Sequence, residues 1–172
     1  MPTVYLGLGS NLGDRETYLT SAIEDISCME GIHYKTSSSI YETEPVGLKS
    51  DVWFLNVVIE VETDIKPLDL LYICQSIEKK YGKKFERQEN DPYESRTLDI
   101  DILFYDECLI HSKKLKIPHP RAHERSYVLT PMREIAPDFM HPLYGETMIF
   151  MRKLLFNPEE VKLYIKKEEL KK

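Results

Sequence analysis

Two stretches of helical period are set among four of strand period, in the order strand, helix, strand, strand, helix, strand. No other feature narrows the choice of fold as far. Residues 3–9 alternate in character and read as a first strand. Asp14 is placed to cap a helix whose Leu19, Ala22, Ile23 and Ile26 share one face. Residues 33–43 read as a second strand, ended by the turn Glu44-Pro45-Val46-Gly47. Over residues 53–63 Leu55, Val57, Ile59 and Val61 share a face, while Phe54 and Asn56 share the other. Pro67 suits the first turn of a second helix, with Leu70, Leu71, Cys74, Ile77 and Tyr81 as its apolar stripe and Gly82 as its stop. Residues 98–105 form the fourth strand. The βαββαβ order is that of an α+β, ferredoxin-like sandwich. Short strands near Leu109 and Leu115, then helices over 126–135 and 147–155, form a C-terminal elaboration. With 172 residues a single domain, 1–172, is expected. Its last stretch, 159–172, is rich in Lys and Glu and reads as a charged surface helix or frayed tail.

That topology predicts where a site would form. A right-handed crossover returns the second strand parallel to the first, and the third and fourth then run the other way. One rim therefore collects Gly9-Ser10-Asn11, residues 43–47, Phe54 with Asn56, and Asp99 with Asp101. Gln75 and Glu78, at the end of the second helix, join them.

Two segments carry chemistry, the first of them on that rim. In Arg96-Thr-Leu-Asp99-Ile-Asp101-Ile-Leu the alternation puts Leu98, Ile100 and Ile102 on one face and both carboxylates on the other. Their Cα atoms are then roughly 6–7 Å apart, and like charges so placed repel unless a cation lies between them. Mg²⁺ takes such oxygens together with substrate phosphates. A solvated polar face is the ordinary alternative. In Ile117-Pro-His119-Pro-Arg121-Ala-His123-Glu-Arg125-Ser-Tyr127, two His and two Arg can neutralise phosphates, or can simply begin an exposed helix. His119 and His123 are at i and i+4, but no further ligand is spaced to complete a zinc site.

Gly7-Leu-Gly9-Ser-Asn-Leu-Gly13 does not match a dinucleotide fingerprint, since its third glycine comes one residue late. It reads as a tight strand-to-helix turn. A Walker lysine motif is absent, so any ATP site is not a P-loop.

Composition excludes other classes. A net charge of −6 argues against a nucleic-acid coat protein. Cys28, Cys74 and Cys108 lack metal spacing and read as free, buried thiols of a reducing compartment. With no apolar run near 18 residues and no secretory signal, a cytoplasmic protein without membrane or nucleic-acid partners is expected.

The motifs together resemble a known family. Leu6-Gly-Leu-Gly-Ser10-Asn-Leu-Gly-Asp-Arg, Ser39-Ile-Tyr-Glu-Thr43-Glu-Pro45-Val-Gly47, Phe54-Leu-Asn56 and the two segments above are similar to 6-hydroxymethyl-7,8-dihydropterin pyrophosphokinase of folate biosynthesis. The resemblance spans about residues 3–143. It implies that a pterin hydroxymethyl oxygen attacks the β-phosphorus of ATP and AMP leaves. It implies two Mg²⁺ on Asp99 and Asp101, phosphate contacts from His119 and Arg125, and a nucleotide site with Gln75, Glu78, Arg96 and Ile102. The pterin is expected between Phe54 and Tyr127, with Asn56 and Asp99 at its edge and backbone groups of Thr43, Pro45 and Val46 beside it. One stretch departs from the family's Arg-Trp-Gly-Pro run, namely residues 83–95, where Lys83 and Arg87 are the substitutes. That loop is expected to fold over the nucleotide with Arg87 facing the phosphates. Docking with a neighbouring folate enzyme is a further expectation. Two other classes fit the fold: a nucleotidyltransferase, and a ligand-binding module without catalysis.

Overall fold

A computed structural model describes residues 1–45, 52–82, 97–156 and 158–170. The elements run β1 (Thr3–Ser10), α1 (Arg15–Ser27), β2 (Ile32–Ser37), β3 (Ile40–Thr43), β4 (Phe54–Thr63), α2 (Pro67–Lys80) and β5 (Asp99–Tyr105). After them come the short hairpin β6 (Ile110–His111) and β7 (Lys116–Ile117), then α3 (Ser126–Ile135), α4 (Met148–Leu154) and β8 (Val161–Ile165). The main sheet has the order β5-β1-β4-β3-β8, with β2 also on β4, and every pairing is antiparallel. This is the expected mixed sandwich.

Local chemistry accounts for the first helices. Asp14 caps α1, its Oδ1 accepting from Thr17 N at 3.2 Å. Pro67 opens α2, and Gly82 follows its end with φ +91°. Both helices cover one face of the sheet. Leu19, Ala22 and Ile26 from α1 and Leu70, Cys74 and Ile77 from α2 pack on Leu6, Leu8, Leu55, Val57, Ile59, Leu98, Ile100 and Ile102. Each fully buried Leu or Ile there contributes about 1.5–3 kcal/mol.

The other face is covered only in part. Val128, Leu129 and Met132 of α3 and Met148 of α4 pack on Tyr5, Val58, Leu103 and Phe104. A register shift between Tyr5 and Leu6 against β5 turns both Leu103 and Phe104 toward this layer. Beyond α3 the face is left open, and that opening is the site.

Three expectations are corrected. The single strand over 33–43 is two strands broken at Ser38-Ser39. Ser38 Oγ donates to Ser39 O at 2.8 Å and accepts from Val58 N at 3.0 Å. Ser39 N and Oγ both donate to the Glu134 carboxylate at 2.9 Å. These side-chain bonds compete with the ladder and end it. The tail over 159–172 is not a surface helix: Val161–Ile165 is β8, paired to β3 with Tyr41 opposite Leu163 and Thr43 opposite Val161. The open edge of β3 supplies backbone partners that a short charged helix would lack. Among the thiols Cys74 is buried, but Cys28 is exposed and Cys108 lies between.

Candidate active site

The site begins with two missing side chains. On β1, Gly7 pairs with Val58 on one neighbour and Asp101 on the other; Gly9 pairs with Asn56 and Asp99. Directly opposed residues of antiparallel strands share a face. Two rows thus cross the sheet, Asn56-Gly9-Asp99 and Val58-Gly7-Asp101, each with a glycine in the middle. A Cβ on Gly9 would lie 2.9 Å from Asn56 Oδ1, and one on Gly7 would lie 3.2 Å from Leu103 Cδ1. The glycines are the floor of a cavity. This corrects the reading of Gly7 and Gly9 as parts of a tight turn, for of the motif's three glycines only Gly13 has positive φ, at +72°.

The cavity is about 350 Å³, within the range of small-molecule sites. Its lining brings Phe54, Tyr127, Thr43 and Asn56 together with Asp99, Asp101, Arg121 and Arg125. Asn56 is buried and its Nδ2 donates to Thr43 Oγ1 at 2.7 Å, which fixes the amide against the wall. Arg125 is the residue before α3, and its guanidinium lies over the Tyr127 ring at 5.4 Å. Tyr127 faces the cavity while the body of Val128 joins the second core.

Asp99 and Asp101 project from the face opposite Ile100 and Ile102, as the alternation requires. They offer only oxygens, and among the described residues no cluster of three His, Cys, Asp or Glu exists to make a closed metal cage. A carboxylate pair open to a cavity fits Mg²⁺, which keeps waters and takes phosphate oxygens. His119 Nε2 is 3.9 Å from Asp101 Oδ2. Burial, then the Arg125 charge, pushes the His119 imidazole down to about 4, so at neutral pH this contact is not an ion pair. Nδ1 accepts from Arg121 N at 3.2 Å, which leaves the proton of the neutral ring on Nε2, a donor facing the acids.

Other expected residues stand further off. Glu78 is buried, and its Oε1 accepts from Ile100 N at 2.7 Å. It holds the outer edge of β5, the strand that carries the acids. The Ile102 side chain belongs to the first core. Gln75 is half-buried on α2, and neither it nor Pro45 lines the cavity. Val46, Lys83, Arg87 and Arg96 lie outside the described residues, as does the loop 83–95.

Sequence reasoning missed two contributors, the glycine floor and Glu159 from the C-terminal segment, and it named Arg121 only as one of the cations of its segment. Glycine at alternate positions of a strand is a readable sign of close approach. For Glu159 the only signal was the β-favouring run Val161-Lys-Leu-Tyr-Ile165 just after it.

Known proteins share this fold. The Plasmodium falciparum HPPK-DHPS wild type with pteroate superposes with a TM-score of 0.69 at 15% identity, over 88% of this chain and 42% of that one. The likeness shows the fold, and this chain spans under half of the larger protein. The 2-amino-4-hydroxy-6-hydroxymethyldihydropteridine pyrophosphokinase of Methylorubrum extorquens is 38% identical over 148 residues, 86% of this chain and 90% of its own length. The enzyme of that name from Aquifex aeolicus is 40% identical over 148 residues, 86% and 89% of the two chains. The family model for 7,8-dihydro-6-hydroxymethylpterin-pyrophosphokinase (HPPK) matches residues 5–137, the span that holds both acids, the glycine floor and the Arg/His segment, and the chain belongs to that family.

Proposed function

We propose that this chain transfers pyrophosphate from ATP to the hydroxymethyl group of 6-hydroxymethyl-7,8-dihydropterin, releasing AMP, in folate biosynthesis. The observation that carries the reading is one cavity lined by aromatic rings and a buried amide together with two carboxylates and two guanidinium groups. A flat pterin lies between Phe54 and Tyr127, its edge on Asn56, Thr43 and Asp99; backbone contacts from Pro45 and Val46 are assigned by the family resemblance alone. That pose aims the hydroxymethyl group at Asp99 and Asp101. His119, Arg121 and Arg125 receive phosphate oxygens; Arg96 is assigned to the same task by its place in the family motif, and Lys83 and Arg87 as substitutes for the family's Arg-Trp-Gly-Pro run. Gln75, Glu78 and the outer backbone edge of β5 at Ile102 take the rest of the nucleotide.

Asp99 and Asp101 would hold two Mg²⁺, which would supply charge neutralisation for the transfer. The chain's own contribution is alignment. The new bond forms from the hydroxymethyl oxygen to the β-phosphorus while the bond from that phosphorus to the α-phosphate oxygen breaks. Phosphoryl transfer of this kind needs positioning and electrostatics more than a protein nucleophile. Three unpaired thiols fit a reducing cytoplasm. Fused HPPK-DHPS chains make a neighbouring folate enzyme the docking partner to look for.

The test is the product. Incubated with Mg-ATP and the reduced pterin, the protein should yield AMP and the pterin diphosphate. Released pyrophosphate would indicate a nucleotidyltransferase, and binding without turnover a non-catalytic module. Asp99→Ala and Asp101→Ala should each cut turnover about a hundredfold or more with the fold retained. Near-normal turnover in either would remove the metal assignment.

A further inference from the structure

The family model ends at residue 137, yet the cavity has a wall residue from beyond it. Glu159 stands two residues before β8 and is half-buried. Its Oε2 accepts from Ser126 N at 2.9 Å and lies 2.6 Å from Ser126 Oγ, at the first residue of α3. Ser126 Oγ is also 2.9 Å from the Glu159 carbonyl oxygen. The next residue is tied to the opposite rim: Glu160 O accepts from Glu44 N at 3.3 Å, and Glu160 N donates to Glu44 Oε1 at 3.0 Å. The C-terminal segment is thus a strap from the start of α3 to the end of β3, and β8 zips its remainder onto β3.

This strap leaves one carboxylate oxygen over. Oε2 is held by Ser126, and among the described residues Oε1 has no hydrogen-bond partner. The same cavity offers the Asn56 amide and the Thr43 hydroxyl on its wall. A reduced pterin presents adjacent N–H donors, its 2-amino group and N3, which call for acceptors. The other acid at that rim, Glu44, is exposed and already accepts from Glu160 N.

We propose that Glu159 is a pterin-binding residue, its Oε1 accepting an N–H of the 2-amino-4-oxo edge. The inference rests on this cavity being the pterin pocket. It assigns a specificity role to a segment beyond the matched family span, and it makes β8 the element that holds that role in place.

Glu159→Gln separates the roles. Its amide oxygen can keep the bond to Ser126 N, while its NH₂ replaces the acceptor Oε1 with a donor. The pterin KM should rise about tenfold or more, the ATP KM should stay within about twofold, and the melting midpoint should hold. With an analogue lacking the 2-amino group, wild type and Glu159→Gln should differ far less. An unchanged pterin KM, or an equal loss on the analogue, overturns the proposal and leaves Glu159 as a cap of α3. If the variant does not fold, wild type alone decides: equal binding of pterin and analogue in competition also overturns it. Phe54→Ala is the control for the pocket. If it too leaves the pterin KM untouched, the cavity assignment fails; if only Glu159→Gln does, the inference fails alone.

Discussion

Gly9 sits between Asn56 on one neighbouring strand and Asp99 on the other. An added methyl at Gly9 would meet Asn56 Oδ1 at 2.9 Å, closer than real Cβ atoms come. The amide would have to move, and with it the bond to Thr43 Oγ1. The backbone has no such objection, since Gly9 lies inside a strand without positive φ. Gly9→Ala should therefore fold and melt close to wild type but bind the pterin more weakly by roughly 1–2 kcal/mol, the scale of a lost polar contact. Fluorescence titration with pterin and with ATP checks this, and only the pterin curve should shift. A large fall in melting temperature would instead place the damage in the sheet.

At the scale of elements, the C-terminal strand is the testable part. β8 pairs along the whole of β3, but most of its side chains are exposed, with only Val161 and Ile165 partly covered. Its contribution to stability is then mainly a handful of ladder bonds, each worth about 1 kcal/mol net and offset by the ordering of the tail. Ending the chain at residue 158 should cost about 1–3 kcal/mol, seen as a fall in the melting midpoint of several degrees. The functional loss should be larger than that fall suggests, because Glu159 leaves Ser126 and the cavity together. Calorimetry and pterin KM on one truncated preparation compare the two effects. Retained pterin affinity would make the strand a stabiliser only. Glu134 shows how such elements are joined: it takes Ser39 N, Ser39 Oγ and, at 2.8 Å, Tyr41 OH, so α3 is clamped to the very strand that β8 extends.

For the molecule as a whole, acid stability is expected to depend on one buried imidazole, His141, and one half-buried, His119. His141 is 1% exposed, packs against Phe104, Tyr144 and His123, and accepts from Leu143 N at 3.2 Å through Nδ1. Burial, then the charge of His123, lowers its pKa from 6.5 to about 4. The folded state therefore binds this proton later than the unfolded chain does. The contribution is complete above about pH 6.5 and is lost as pH falls from there toward 4. His119 acts in the same direction. Urea unfolding should show stability falling over that window, with His141 accounting for on the order of 1–3 kcal/mol of the drop. His141→Asn can still accept from Leu143 N, and its slope between pH 6.5 and 5 should be flatter than wild type. Parallel slopes would assign the acid sensitivity elsewhere. Local sequence alone determined the βαββαβ order, the Asp14 cap of α1, the start of α2 at Pro67, and the shared face of Asp99 and Asp101, because each depends on residues a few positions apart. It also brought Thr43, Phe54 and Asn56 to one rim with the acids, since strand direction and alternation are enough for that, whereas Arg125 and Tyr127 were assigned to the site only through the family resemblance. Only the tertiary structure decided the break at Ser38-Ser39, the glycine floor, the strand in the charged tail and the arrival of Glu159. Those depend on partners far along the chain, such as Glu134 for Ser39 and Ser126 for Glu159, and no local pattern specifies which distant group will fill an unpaired edge or an empty wall.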